Sequence, residues 1–539
     1  MKLLFVNPSL RPDAPHRYLP VGLGYVVTAV KEAGFDFDLL DIDISKYTDD
    51  YVEKYLIENN FDVIAIGSIV THYKWIKWFI HTAKQHNPGC KIIVGNSVGS
   101  SISEVLFAKS PVDIIIVNEA DDTIIEVLNA INHNSSLGQV VEPIEKIPHN
   151  NGDFPACVKG IGIEGIVFRD QYNRIVNNGR RKAIKRIDDL PYPDWDIFDV
   201  DEYLKVSPFG ETNVWKYPKE EAVMFPINTA RGCVFKCTFC HYVFWNDPYR
   251  HRSPESVIGE IKRNQEKYGA NAFSFWDELT FHKLGPTEKF IDALLDADLG
   301  IHWTCAIRTD LIGKDIDDKG NEIPYERRLT LARKMVESGC VSVGGSLESG
   351  NDEILKTMNK RIKAEYFINQ IKIAREVGLV INTSLVIGYP EETKETIAET
   401  MKMCDKAKVY PSPGFLLPLP ETGMWDYAIE NGHITDVDKF LTDMTERQDI
   451  VLNMTKMSDK EIMDETLSGL GKLNKKFGNL NKGKLIKSGG YYKHSKHQIT
   501  KQQNKKVKHI VDNRMLKIVE SDETIKESLN YATVSDTLK

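Results

Sequence analysis

The chain has 539 residues, of which 42% are hydrophobic, and a formal net charge of -8 at pH 7. This length exceeds a single hydrophobic core and predicts three or four domains, while the acidic balance argues against a general binder of nucleic acid or of membrane surfaces. No run approaches the roughly 20 apolar residues of a membrane span, and the strand-like start MKLLFVNPS lacks the pattern of a secretory leader, so we predict a cytoplasmic protein.

Residues 1–135 alternate near-continuous apolar runs, such as KLLFVNPS and DVIAIGSIV, with amphipathic helical patterns. Apolar strands separated by helices indicate a parallel sheet covered on both faces, so we predict a doubly wound, Rossmann-like α/β domain. In such sheets ligands bind beyond the carboxyl ends of the strands. The turns expected there are rich in Gly, Ser, Asn and Thr, which suits a large ligand but also suits ordinary strand-to-helix turns and caps.

Residues 136–220 lose this rhythm and are interpreted as a linker with structure of its own. GIEGIVFRDQYNRIVNNGRR predicts a hairpin, and IDDLPYPDWDIFD predicts a connector punctuated by proline.

Strand and helix patterns alternate again over residues 221–430, and six such units predict a partial parallel (β/α)6 barrel of the TIM type. Chemistry is expected at the carboxyl ends of its strands. Residues 431–539 are predicted to be mainly helical and then lysine-rich, with twelve lysines and no acidic residue between 471 and 510. Both a mobile solvated tail and a cationic helical cap fit this charge run.

Three of the eight cysteines, Cys233, Cys237 and Cys240, form a C-x-x-x-C-x-x-C group directly after the first predicted barrel strand. A structural zinc site would need a fourth ligand, and His241 beside Cys240 would strain to bind the same ion. A disulfide is disfavoured in the cytoplasm, and a buried trio of thiols does not suit a polar loop. A cuboidal iron-sulfur cluster on three thiolates leaves one iron open for a reactant, and we favour this interpretation.

The cysteine loop resembles the signature of the radical S-adenosylmethionine enzymes, in which the open iron binds S-adenosylmethionine and an electron cleaves it to a 5′-deoxyadenosyl radical. Five further segments resemble the same family in order along the chain: FSFWDELTF, WTCAIRTD, GGSLESGNDEILKTMNK, INTSLVIGYPEET and FLLPLPETGMW. The resemblance implies a 4Fe-4S cluster on the three cysteines and S-adenosylmethionine contacts from Phe239, Asp277, Glu278, Arg308, Glu348, Ser349 and Ile387. A solvated charge or a structural ion pair is the simpler alternative for Arg308 and Glu348.

The first domain and the connector are similar to those of the cobalamin-binding class of these enzymes. Together with the barrel segments, the resemblance covers roughly residues 1–430. The matching segments include NPS, YLPVGLGYVVTAVKEAG, VGNSVG and VNEADDT. The motif D-x-H-x-x-G is absent, so cobalamin is expected to bind without histidine ligation of cobalt. The resemblance implies cobalamin contacts from Asn7, Pro8, Ser9, Gly22, Ser68, Thr71, His72, Gly95, Asn96, Ser97, Asn118 and Glu119.

Together these resemblances imply a cobalamin-dependent radical methyltransferase acting on an unactivated carbon or phosphorus centre of a small molecule, and they assign no catalytic side chain. The alternatives are a cobalamin-dependent cyclase or rearrangement enzyme and a non-catalytic cobalamin or S-adenosylmethionine sensor. A methylthiolating enzyme would need a second cysteine cluster in the first domain, where only Cys90 is present. The expected protein partner is a reductant such as flavodoxin or ferredoxin, and the lysine-rich region would suit an anionic substrate.

Overall fold

The structure is a computed structural model that describes residues 1–141, 146–147, 157–207, 221–241, 247–478, 480 and 485–487. Within these residues no helix is both long enough and apolar enough to cross a membrane.

The N-terminal domain is a doubly wound α/β fold, as the alternating pattern predicts. Its elements are β1 (Leu3–Asn7), α1 (Val21–Glu32), β2 (Asp38–Asp41), α2 (Ile42–Ser45), α3 (Asp49–Glu58), β3 (Val63–Gly67), α4 (Tyr73–His86), β4 (Lys91–Gly95), α5 (Asn96–Ser100), α6 (Ser103–Lys109), β5 (Ile114–Ile116) and α7 (Asp121–Asn132). The strands are parallel in the order β2-β1-β3-β4-β5. Every residue of β1 is buried, and because successive side chains point to opposite faces, both faces of the sheet are covered.

The same sheet continues through the segment interpreted as a linker. Its elements are β6 (Gly138–Val140), β7 (Lys146–Ile147), β8 (Cys157–Gly162), β9 (Ile166–Arg169), β10 (Ile175–Asn177) and α8 (Val200–Val206). The predicted hairpin is confirmed, since β9 and β10 pair antiparallel, and β9 also pairs with β5. The hairpin thereby covers an edge of the parallel sheet that would otherwise be exposed. In the connector, Trp195 is fully buried against Gly24, where an added Cβ would lie 2.9 Å from the indole ring.

The second half of the chain contains the barrel. Its elements are β11 (Met224–Ile227), β12 (Ala230–Arg231), β13 (Arg250–His251), α9 (Pro254–Tyr268), β14 (Ala272–Phe275), α10 (Leu284–Ala297), β15 (His302–Ala306), α11 (Tyr325–Glu337), β16 (Cys340–Gly344), α12 (Asp352–Thr357), α13 (Ala364–Glu376), β17 (Val380–Asn382) and α14 (Lys394–Ala407). Five parallel strands follow the order β11-β14-β15-β16-β17. Parallel bridges from Ser384 to Ser412 and from Ile387 to Phe415 add a sixth strand-like segment, which gives the open barrel that the sequence predicts.

The described part of the C-terminal region is helical, with α15 (Gly423–Glu430), α16 (Val437–Asp443) and α17 (Asp459–Phe477). Ser458 and Glu461 form a capping box that starts α17. This helix packs on α14, where Gly469 lies directly against Met401. Most of the lysine-rich segment 471–510, for which a tail or a cationic cap was predicted, lies outside the described residues.

Candidate active site

The three cysteines of the loop between β12 and β13 are free thiols that lie close to one another. The loop turns back on itself, since the Cys240 amide donates to the Cys237 carbonyl at 3.1 Å. Burial raises the pKa of Cys233 and Cys237 above the usual range, and burial together with the other two thiols raises the pKa of Cys240 to about 12. Cys240 is nevertheless solvent-accessible, so it lines an open space within the protein. Three clustered thiols beside an open space fit a cuboidal cluster with one free iron position.

The conformation of the cysteine loop is fixed by a glycine and by contacts with neighbouring segments. Gly232, just before the first cysteine, has a φ of 101°, a left-handed conformation that favours glycine. The Thr238 amide donates to the Met358 carbonyl at 3.0 Å, and its hydroxyl hydrogen-bonds the Tyr389 hydroxyl at 3.0 Å. Phe239 meets the Tyr389 ring edge-on, with 6.4 Å between the ring centroids. Phe239 therefore lies at the cluster loop as expected, while its contact with S-adenosylmethionine stays a prediction.

The adjacent carboxylates of Asp277 and Glu278 have different environments. Asp277 accepts hydrogen bonds from the amides of Thr229 and Ala230, at 2.8 and 3.0 Å, from the Thr280 hydroxyl at 2.8 Å, and from the Thr229 hydroxyl. It therefore anchors the segment that leads into the cysteine loop. Glu278 is accessible, and among the described residues its carboxylate has no side-chain hydrogen bond or ion pair; its own backbone amide donates to it. Enclosure by protein raises the pKa of Glu278 to about 7, and of the two carboxylates this one is available to bind an ammonium group.

Arg308 clamps the cysteine loop from the barrel side. Its guanidinium lies 3.5 Å from the centroid of the Phe235 ring, between the first two cysteines. Arg308 Nε donates to Asp310 at 2.7 Å, and Nη2 donates to the carbonyls of Lys360 and Arg361 at 3.1 and 2.7 Å. These contacts give Arg308 a structural role in the loop, and its contact with S-adenosylmethionine stays a prediction.

Glu348 forms a buried ion pair with Lys360, and only Glu348 of this pair was predicted from the sequence as a site residue. Its carboxylate accepts from Lys360 Nζ at 3.0 Å, with side-chain exposures of 7% for Glu348 and 15% for Lys360. Burial alone would lower the pKa of Lys360, but Glu348 and Cys237 outweigh it and raise that pKa. A cation thus lies beside the cysteine loop. Lys360 was missed because it sits in a lysine-rich stretch typical of a solvated surface, and only packing sets it apart.

Ser349 and Ile387 belong to the barrel wall. Ser349 is 1% exposed, lies 3.3 Å from the Thr400 hydroxyl and accepts from the Asn351 amide at 3.2 Å. The Ile387 side chain is buried, and its amide donates to the carbonyl of Gly414 at 2.9 Å. Contacts of these two residues with S-adenosylmethionine stay predictions.

At the carboxyl edge of the first sheet, Asn7 and Ser9 are part of a polar network. Asn7 donates to Asp41 at 2.8 Å and to the Tyr203 hydroxyl at 3.0 Å, while Ser9 donates to Asp43 at 2.7 Å. Burial raises the pKa of Asp41 to about 6, against the lowering effect of its hydrogen bonds. Tyr203 belongs to α8, so this network binds the connector helix to the end of β1.

Ser68, His72 and Ser97 hold the loops after β3 and β4 together. The Ser68 hydroxyl lies 3.0 Å from His72 Nδ1, and the Ser97 hydroxyl accepts from the Val70 amide at 2.9 Å. The His72 ring stacks on Trp75 at 5.1 Å, and burial lowers the pKa of His72 to about 3. These hydrogen bonds give the three side chains a structural role, and their contacts with cobalamin stay predictions.

The accessible part of the same edge is formed by the remaining small residues. Asn96 and Asn118 adopt left-handed conformations, with φ values of 60° and 68°, and a Cβ added at Gly22 or Gly95 would meet open space. An edge of small side chains and accessible backbone after several parallel strands fits a large ligand such as cobalamin. The residues of the expected set that stay at least partly accessible are Pro8, Ser9, Gly22, Thr71, Gly95, Asn96 and Asn118.

Glu119, expected among the cobalamin contacts, joins a buried ion network between the two domains. Its carboxylate accepts from Arg250 at 3.0 Å on both oxygens and from Arg231 at 3.1 Å. Arg231 also binds Asp121 through two bonds of 2.9 and 3.0 Å. Burial alone would raise the pKa of Asp121, but Arg231 lowers it. Arg231 lies in β12 and Arg250 in β13. Ion pairs from the loop after β5 and from the start of α7 therefore bind both ends of the cysteine loop.

Two further contacts join these parts of the chain. The Ser101 hydroxyl lies 2.9 Å from Nε2 of His241, which directly follows the third cysteine, and burial lowers the pKa of His241 to about 4. From α4, the Tyr73 hydroxyl and Lys77 donate to Asp438 of α16 at 2.5 and 2.7 Å. The cysteine loop therefore lies between the first domain and the barrel.

Comparison with known protein families identifies both domains of this chain. The B12 binding domain model matches residues 13–128, and the Radical SAM superfamily model matches residues 227–404. An uncharacterized methyltransferase of Pyrococcus horikoshii is 25% identical over 444 residues, which cover 80% of this chain and 84% of the relative. A cytidylyl-2-hydroxyethylphosphonate methyltransferase of Streptomyces wedmorensis is 24% identical over 484 residues, which cover 84% and 85%.

A similar fold is found in the radical S-adenosylmethionine methyltransferase TsrM of Kitasatospora setae, solved with cobalamin and a 4Fe-4S cluster bound. The TM-score is 0.57 at 15% identity, over 80% of this chain and 78% of that chain. The matched domains confirm the expected cofactors, which are the 4Fe-4S cluster, S-adenosylmethionine and cobalamin. The chain is therefore a cobalamin-dependent radical S-adenosylmethionine enzyme with its B12 binding domain before the radical domain.

Proposed function

We propose that the protein is a methyltransferase that transfers a methyl group to an unactivated carbon or phosphorus centre of a small molecule. The observation that carries this proposal is the buried network of Glu119, Asp121, Arg231 and Arg250. It holds the carboxyl edge of the first sheet, where we place cobalamin, against both ends of the cysteine loop. A reaction that uses both cofactors on one substrate atom requires such a fixed arrangement. Relatives named as methyltransferases support methyl transfer, and two relatives named as anaerobic magnesium-protoporphyrin IX monomethyl ester cyclases make cyclisation the second candidate.

In this proposal, Cys233, Cys237 and Cys240 hold the cluster, and Glu278 accepts hydrogen bonds from the ammonium group of S-adenosylmethionine. Lys360 supplies positive charge beside Cys237, which favours thiolates and the carboxylate of S-adenosylmethionine. When bound, the cofactors supply the radical that activates the substrate and the methyl group that it receives.

The test is anaerobic reconstitution with iron, sulfide and hydroxocobalamin, followed by metal analysis and product assays with S-adenosylmethionine under reduction. We expect about four irons and one cobalt per chain and release of 5′-deoxyadenosine and S-adenosylhomocysteine with a methylated product. Cys237→Ala should lose iron and S-adenosylmethionine cleavage, whereas Cys404→Ala, at a buried cysteine of α14, should keep both. Cleavage with cobalt bound, but with no methylated product from any candidate substrate that is consumed, would instead indicate cyclisation or rearrangement.

A further inference from the structure

A group of exposed cations lies beside the cysteine loop. Lys236 is within the loop, and Arg361 and Lys363 follow α12 in the sequence. All three are exposed, and among the described residues none of them is paired with a carboxylate. We call Lys236, Arg361 and Lys363 the basic rim.

The basic rim is attached to the loop that carries the cysteines by a short series of hydrogen bonds. The Asn359 side-chain amide donates to the Lys236 carbonyl at 2.7 Å, and its oxygen accepts from Arg361 Nε at 3.0 Å. One residue earlier, the Met358 carbonyl accepts from the Thr238 amide at 3.0 Å. The rim therefore touches the polypeptide that holds the thiols, and a molecule bound on it would lie close to the cluster.

Other sides of the same loop are covered by protein. The first domain covers it through His241 and Arg231, and Arg308 stacks on Phe235 from the barrel. The start of α15 packs against Thr238, whose carbonyl accepts from the Met424 amide at 2.9 Å. Among the residues that the structure describes, the basic rim is thus an exposed approach to the loop.

The charge of the rim contrasts with that of the chain. Four cations, Lys356, Lys360, Arg361 and Lys363, fall within eight residues of a protein whose net charge is -8. Lys356 is partly balanced by Glu353 at 3.6 Å, and Lys360 is paired internally with Glu348. The unpaired cations of the rim remain to attract an acidic surface, and such charge complementarity speeds association and fixes orientation.

We propose that the basic rim is the docking surface for an acidic one-electron carrier protein of the flavodoxin type. The proposal rests on the proposed function, because S-adenosylmethionine cleavage takes up an electron that must come from outside the chain. In the transfer the carrier loses one electron and the cluster gains one, with no bond made or broken between the two proteins.

The test compares Arg361→Glu/Lys363→Glu with a control of equal charge change, Lys289→Glu/Arg333→Glu, at two exposed cations on α10 and α11. Lys236 is left intact because it lies in the cysteine loop. Binding of an acidic flavodoxin to each reconstituted enzyme is measured by calorimetry at two salt concentrations. We expect the rim variant to bind about tenfold or more weakly and with less salt dependence, and the control to bind as the native protein does.

Release of 5′-deoxyadenosine is then driven either by reduced flavodoxin or by dithionite, a small reductant that needs no docking surface. The rim variant should be slow with flavodoxin only. Equal flavodoxin affinity in the rim and control variants, or equal slowing with both reductants, would overturn the proposal. The single variant Lys363→Glu, whose side chain makes no hydrogen bond among the described residues, separates loss of charge from loss of the Arg361 contact with Asn359. A native enzyme that binds flavodoxin but gives no 5′-deoxyadenosine with dithionite would contradict the proposed function instead.

Discussion

Replacing Glu119 by Gln removes one charge from the network that joins the two domains. The carboxylate binds Arg250 and Arg231 and accepts from the Ile184 amide at 2.8 Å, and the side chains of Glu119 and Arg250 are each 7% exposed. Removing one partner of a buried ion pair costs about 3–5 kcal/mol, because the other charge stays buried without compensation. The side-chain oxygen of Gln can still accept from the Ile184 amide, and Arg231 still pairs with Asp121. We therefore expect the free energy of unfolding to fall by about 3 kcal/mol, at the lower end of that range.

The assay is urea unfolding followed by circular dichroism under anaerobic conditions, with Asp122→Asn as the matched control. Asp122 is the exposed neighbour of Asp121, and its change should stay within about 0.5 kcal/mol of the native protein. Glu119→Gln should also lower the ratio of methylated product to 5′-deoxyadenosine, because the network aligns the two cofactor sites. Equal unfolding energies for the two variants would refute the energetic argument. An unchanged product ratio would refute the positioning role even if stability fell.

Three further predictions follow from the site and from the sheet edge. Asp277→Asn should lower iron incorporation, whereas Glu278→Gln should leave it unchanged. Glu278→Gln should instead weaken S-adenosylmethionine binding about tenfold, which is about 1.4 kcal/mol in the binding free energy measured by calorimetry. Equal iron loss in both variants would contradict their separate roles. Lys360→Met leaves Glu348 buried without its partner and should cost about 3–5 kcal/mol in urea unfolding, and adding Glu348→Met should restore most of it. Because burial raises the pKa of Asp41 to about 6, stability should fall as the pH rises from about 4 to about 6; Asp41→Asn should remove this part of the pH profile of unfolding.

Local pattern was enough to predict the features whose cause is local. The helices follow from a side-chain period of 3.6 residues and the buried strands from near-continuous apolar runs, and any short window of sequence displays both. The cysteine group spans eight residues, from Cys233 to Cys240, so its capacity for one cluster depends on a single loop. The hairpin of β9 and β10 was predictable for the same reason.

The roles of individual charges depend on contacts between residues far apart in the chain. Glu119 lies 112 residues from Arg231 and 131 from Arg250, and no local pattern distinguishes such a carboxylate from one that faces a ligand. Asp277 and Glu278 are neighbours of the same chemical type, yet Asp277 is surrounded by hydrogen-bond donors and Glu278 is exposed. Direction and surroundings of a side chain are set by packing, because a buried charge persists only where the fold supplies its partners.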